Sequence, residues 1–191
     1  MRVTREQAAE NRERIVEVAA RLFRERGFDG IGVADLMKSA GLTHGGFYGH
    51  FSSKDDLAAE AVARALDKSV QRWERRAAEA PEDPFGAIAG AYLKPSHIDE
   101  PGTGCLISAL GSDVARQDRP VRRAMTDGLR TMMARLSAWV PGRSKAAKRQ
   151  TAIASFAALV GAVVMARGVD DRAFAEEILA AVAASMPRQG S

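Results

Sequence analysis

VADLMKSAGLTHGGFYGHFSSK, the stretch from Val33 to Lys54, decides how this chain folds. Val33, Leu36, Met37 and Ala40 recur at the spacing of one helix face, and Gly41 stands where a left-handed cap ends a helix. After the apolar Leu42, Thr43 predicts the start of a second helix, capped through its hydroxyl. That helix carries Phe47, Tyr48, His50 and Phe51 until Ser52-Ser53 breaks it. Two short helices joined by such a glycine-containing turn form a helix-turn-helix, whose second helix enters the major groove of DNA. Its leading turn, Thr43, His44, Gly45 and Gly46, is the part that meets base edges, with Thr43 and His44 able to donate or accept hydrogen bonds. Phe47 and Phe51 belong to the core. Read from the residues alone, Tyr48 is either packing or phosphate-facing, and His50 either an ordinary surface histidine or a phosphate contact.

Upstream, the spacing predicts a helix from near Arg5 to Arg26 with Ile15, Val18, Ala19, Leu22 and Phe23 on one face, ended by Gly27. Arg2 and Arg5 at its start form either an arm toward phosphate or simply solvated charge. Downstream, Ser53 caps a helix that runs through Leu57, Val62, Leu66, Val70 and Trp73 to Ala80, where Pro81 and Pro84 stop it. Arg72, Arg75 and Arg76 on it read as a solvated face. The rest predicts helices over 85–93 and 105–116 around a loop at 94–104. Asp118 then caps a helix striped by Val121, Met125, Leu129, Met132, Leu136 and Val140. Another helix opens at Ser144, and Asp170 caps a last one bearing Phe174, Ile178, Val182 and Met186.

The fold class is therefore all-α, with roughly nine helices. Residues 1–53 form an N-terminal three-helix helix-turn-helix DNA-binding domain. Residues 54–191 form a C-terminal helical bundle for ligand binding and dimerisation, with 54–80 as the connector.

Composition narrows the function. The 191 residues are 46% hydrophobic, enough for a core, and the net charge of +4 with a pI near 9.6 suits an anionic partner without proving one. A single cysteine excludes an internal disulfide. No signal-peptide core is expected at the N-terminus, and the apolar run at 153–166 reads as too short to span a bilayer, so the expected location is the cytoplasm, with no membrane partner. His97, Ser108 and Asp113 would be raw material for catalysis, but no G-x-S-x-G, phosphate-binding loop or metal-ligand spacing accompanies them. No enzyme activity, catalytic residue, cofactor or metal is expected.

The run Ala40-Gly41-Leu42-Thr43-His44-Gly45-Gly46-Phe47-Tyr48-Gly49-His50-Phe51-Ser52-Ser53-Lys54-Asp55-Asp56-Leu57 resembles the signature of the TetR family (TetR/AcrR-like) of one-component transcriptional regulators. The chain departs from it at Ile31-Gly32, where the family often has two hydroxyl residues. The resemblance implies DNA contacts from Tyr48, His50 and Lys54 beside the leading turn. It also implies a homodimer formed by the last two helices, and a palindromic operator on double-stranded DNA. Ile153, Phe156, Val160 and Val163 of the penultimate helix, apolar almost all round, with Phe174, Ile178 and Val182 of the last, are the expected dimer contacts; an internal core helix of a monomer is the other reading.

A pocket inside the second bundle is expected from Trp73, Phe85, Tyr92, His97, Cys105, Met125 and Met133, together with Ile88 and Met132. Cys105 follows Gly102-Thr103-Gly104 at a helix start, where the dipole favours a thiolate, and some TetR-like repressors sense electrophiles or oxidants through such a cysteine; a small buried hydrophobe is the alternative. The function expected is a sequence-specific regulator, a repressor released by a small molecule of unstated identity or by an electrophile. An activator or a ligand-independent regulator remains open.

Overall fold

The computed structural model describes residues 4–187, which leaves Arg2 outside the described residues. Among them are nine α-helices, one 3-10 helix and no strand. α1 (Arg5–Arg26) is capped by Thr4, whose Oγ1 accepts the Gln7 amide at 3.1 Å. α2 (Val33–Ser39) and the 3-10 helix (His44–Gly49) follow, and α3 (Lys54–Glu79) leads away from them. At its start Ser53 Oγ accepts the Asp56 amide at 3.0 Å while the Asp56 carboxylate takes the amide and hydroxyl of Ser52, a reciprocal cap.

α1 lies along α3. Arg12 pairs with Glu60, Arg64 with Glu13 and Lys68 with Glu17 across the seam. These pairs are half-exposed, worth about 1 kcal/mol or less each. Ile15, Val16, Ala19, Leu22 and Phe23 are buried beneath them, and each large apolar side chain among these is worth about 1.5–3 kcal/mol. The apolar seam therefore holds the helices, and the ion pairs fix their register.

The second half comprises α4 (Pro84–Tyr92), α5 (Ser96–Asp99), α6 (Leu106–Val114), α7 (Arg119–Leu136), α8 (Lys145–Gly168) and α9 (Arg172–Ser185). α7 packs along α3, and α8 along α9. Three local expectations are corrected. The stretch expected as a loop contains the one-turn helix α5. Asp171, not Asp170, caps α9, accepting the amides of Ala173 and Phe174 at 2.9 and 3.1 Å. Asp118 sits at the cap of α7 without making a capping bond. α8 has 24 residues and contains an 18-residue window of mean hydropathy 1.6, long and apolar enough to cross a membrane by length and composition, contrary to the shorter run expected. Here its inner side is core: Ala152, Phe156, Leu159, Ala162, Val163 and Ala166 are all buried.

Candidate nucleic-acid interface

The turn between α2 and the 3-10 helix is built by backbone geometry. Gly41 takes a left-handed φ of 72°, and the amides of Gly41 and Leu42 close onto the carbonyls of Lys38 (3.0 Å) and Met37 (2.9 Å). This is the paired closure that ends a helix on glycine and turns the chain sharply. Thr43 has the extended conformation of a cap, but its hydroxyl makes no capping bond, so the expected local role is not taken. The segment after it is a 3-10 helix rather than the α-helix expected. Gly45, Gly46 and Gly49 supply the reason, since glycine disfavours α-helix by roughly 0.5–1 kcal/mol per residue.

Packing holds this segment from below. Phe47 is 0% exposed, and its ring lies 5.7 Å from that of Phe51, which is also buried. The Arg12 guanidinium stands 4.7 Å over the Phe51 ring. Its hydrogen bond to Glu60 raises the Arg12 pKa further. The next residue faces the other way: Tyr48 is 69% exposed. Thr43, His44, Gly45 and Gly46 are exposed with it, and the His44 ring meets Tyr48 edge-on at 6.4 Å. His50 and Lys54 are half-buried at the edge of the segment. At Ile31-Gly32, Ile31 is buried and Gly32 caps α2 without a side-chain bond. Lys38, exposed in the last turn of α2, is a further cation beside the turn that the sequence reading passed over.

A second site lies in the other bundle. A cleft of about 230 Å³ opens between α3 and the 92–105 segment. Of the expected pocket residues, Trp73, Tyr92, His97 and Cys105 line it, as do Ile88 and Met132. Phe85 is sealed in the core, Met125 is buried away from the cleft, and Met133 lines a groove between α7 and α8 instead. Helical period shows which residues turn inward, not which cavity they reach. Arg72 and Arg76, expected as free surface, border this cleft.

His97 organises its wall. Its Nδ1 donates to the Tyr92 carbonyl at 2.7 Å and its Nε2 accepts the Cys105 amide at 2.8 Å, an arrangement that requires the neutral ring. Burial lowers its pKa, assisted by the charges of Arg167 and Arg72. A Cβ on Gly104 would come within 2.6 Å of the ring, so only glycine fits there. Arg167 of α8 donates to the carbonyls of His97 (2.6 Å) and Ile98 (3.3 Å) and to Ser108 Oγ (3.3 Å). From α1, Arg24 donates to the Gly102 carbonyl, with Nε at 2.8 Å. Burial brings the Arg24 pKa down to about 10. The free, buried Cys105 lies within electrostatic range of Arg24, Arg72 and Arg167.

The expected dimer residues divide. Ile153 and Phe174 are each 46% exposed, and Val160 and Val182 are half-buried. Phe156 (4%) and Val163 (0%) belong to the interior of the single chain, with the Phe156 ring 5.3 Å from Trp73, and Ile178 is buried too. Because α8 is apolar on nearly every side, its sequence does not say which side faces in. Val164 and Met165 of the same helix are exposed as well.

Residues 15–61 match the family model described as "Bacterial regulatory proteins, tetR family". The chain is 41% identical over 59 residues to the HTH-type transcriptional regulator AcrR of Shigella flexneri, covering 31% of this chain and 27% of that protein. It is 35% identical over 95 residues to TtgR of Pseudomonas putida, covering 49% and 45%. The matched part thus spans less than half the length of these curated relatives. In fold the likeness extends over nearly the whole chain. The reduced form of E. coli NemR superposes with a TM-score of 0.78 at 24% identity, covering 93% of this chain and 95% of that one. A TetR transcriptional regulator from Chloroflexus aurantiacus gives 0.76 at 24%, covering 96% and 98%. The helix-turn-helix region, residues 15–61, thus matches the tetR family of bacterial regulatory proteins in sequence, and the chain as a whole shares the fold of the TetR regulators it superposes on.

Proposed function

We propose that this protein is a DNA-binding transcriptional regulator of the cytoplasm, not an enzyme, and that it acts as a homodimeric repressor on a palindromic operator. The observation that carries the reading is the opposition of two neighbouring residues: Phe47 is fully buried and Tyr48 is 69% exposed. A segment anchored by one ring presents the next, together with Thr43 and His44, to an outside partner. Thr43 and His44 are suited to base edges and Tyr48, His50 and Lys54 to phosphates. Residues 1–53 serve as the DNA-reading domain and 54–191 as the sensing and dimerising domain. The exposed apolar side chains Ile153, Val164, Met165 and Phe174 on α8 and α9 support an isologous interface, which sets two reading segments on one duplex.

The signal enters through the cleft, as a small molecule or as an electrophile that reacts at Cys105. NemR, similar in fold, is described in a reduced form, and Cys105 is a free cysteine that lines the cleft. Fluorescence anisotropy tests the core of the proposal, with the intergenic duplex upstream of the gene against a scrambled duplex at the same salt. The expected result is binding that weakens steeply with salt and prefers the upstream duplex by at least about a thousandfold. Equal binding to both duplexes overturns it.

A further inference from the structure

The cleft between α3 and the 92–105 segment carries an imbalance of charge. Arg72 and Arg76 border it, and Arg24 and Arg167 stand behind its wall. Among the described residues no carboxylate lies within ion-pair distance of any of these four. Arg72 gives its Nη2 to the Ser69 hydroxyl at 2.9 Å, and Arg24 and Arg167 are bound to neutral oxygens. The one acid on the cleft is Glu100, at the exposed rim, where it accepts the Thr103 hydroxyl at 3.2 Å. Burial does most to lower the pKa of Arg24 and of Arg72, and like charges add to it: Arg72 lowers that of Arg24, and Arg75 and Arg76 that of Arg72. An arriving anion relieves that repulsion, and a guanidinium fork matches a carboxylate best of all.

A second observation points the same way. Tyr92 lines the cleft, is only 7% exposed, and its Oη lacks a completed hydrogen bond, with the Cys105 thiol and Ser108 hydroxyl as its polar neighbours. Burying a hydroxyl without a partner is unfavourable, and a native structure that does so has a reason. His97 does not serve it, because both ring nitrogens are already used. Trp73, Ile88, Ala91 and Met132 give the cleft an apolar lining, alongside the polar groups of Ser69, Ser96 and Thr103. The volume of about 230 Å³ exceeds the roughly 150 Å³ of an engineered cavity that takes benzene.

From these we infer that the cleft binds a small organic acid, a carboxylate on a compact aromatic or similarly apolar body, with the carboxylate on Arg72 and Arg76 and an oxygen within reach of Tyr92 Oη. This names the ligand class for the sensing role proposed above and rests on that reading. Glu100, Thr103 and Gly104 line the cleft on the same segment whose Gly102 carbonyl is held by Arg24 of α1, so an occupant touches the segment that joins the two halves.

The test uses the full chain without DNA, so that its failure is separate from failure to bind an operator. Thermal shift and titration calorimetry are run with benzoate, phenylacetate and cinnamate, each against its primary amide, and with inorganic phosphate, all at matched ionic strength. The expected result is that at least one carboxylate raises Tm by several degrees while its amide and phosphate do not. Arg72→Gln and Tyr92→Phe fold as the parent does and weaken that carboxylate by about tenfold or more. Cys105→Ser keeps the response, which separates this chemistry from that of the thiol. Carboxylates no better than their amides, phosphate as effective as any of them, an unaltered affinity in Arg72→Gln, or loss of the response in Cys105→Ser each overturns the assignment.

Discussion

Arg24 in α1 and Gly102 in the α5–α6 segment are 78 positions apart, yet the arginine Nε and Nη2 both donate to the one glycine carbonyl. The bond joins α1, which packs on the helix-turn-helix, to the segment that walls the cleft, and Gly102 is buried. Arg24→Met is expected to leave that carbonyl unpaired and to lower stability by roughly 1.5–3 kcal/mol, the range for hydrogen bonds from charged groups. Urea unfolding followed by far-UV circular dichroism measures it, and an unchanged midpoint removes the bond from the account of how the halves are joined.

Phe47 and Tyr48 predict opposite phenotypes. Phe47→Ala empties a fully buried site and is expected to cost about 3–5 kcal/mol of stability. Tyr48→Ala, at an exposed position, is expected within about 0.5 kcal/mol of the parent and to lose operator affinity at least about tenfold. Urea melts and anisotropy on the same two proteins separate the effects. A Tyr48→Ala protein that binds DNA as tightly as the parent removes Tyr48 from the interface.

His97 gives the chain a pH dependence with a definite sign. Its folded pKa lies below the ordinary 6.5, chiefly because it is buried. The unfolded chain therefore takes up the proton first as pH falls. This contribution to stability is present above about pH 6.5 and is lost as pH falls from there through the depressed folded value, after which it levels off. Protonation also removes the acceptor for the Cys105 amide. His97→Gln is expected to flatten this part of the stability profile between about pH 7.5 and about pH 5; a profile of unchanged slope assigns it to other groups.

Phe174→Glu places a charge on the exposed apolar face of α9. The expected outcome is a folded protein that elutes as a monomer in size-exclusion chromatography with light scattering and binds the operator more weakly. A dimer that survives this change and Ile153→Glu together uses another face.

Cys105→Ser is expected to abolish any loss of operator binding caused by N-ethylmaleimide or hypochlorite, since the chain holds no other cysteine. Anisotropy before and after treatment reads this directly, and an equal response in the serine variant excludes the thiol as the sensor.

Local chemistry made most of the helices legible before any coordinates. Ser53 caps the helix it is expected to cap, and Ser144 caps the one it is expected to open, because a cap is a bond between residues three positions apart. The turn at Gly41 was equally readable, since few residues other than glycine accept its φ. What stayed hidden depends on distance or on ambiguous period. Arg24 reaches Gly102 and Arg167 reaches His97 across 78 and 70 positions, and a lone arginine in a helix gives no sign of such a partner. Phe156 and Val163 were expected at a subunit interface because α8 is apolar all round, which erases the face that periodicity normally marks. Arg72 read as solvated because it lies far along its helix from the recognition segment, whereas the cleft it borders is closed by α4 and the segment after it.

The bare backbone of the reading segment has one further effect. A methyl group added at Gly45 or at Gly49 would meet nothing within 4 Å. Interior packing thus gives neither position a reason to be glycine, and alanine would favour a helical backbone there by roughly 0.5–1 kcal/mol each. The free molecule carries a rim that is less rigid than its own surroundings permit, and what it gains is thinness: at these two points its main chain is its outermost layer, which sets how near another polymer's edge can come.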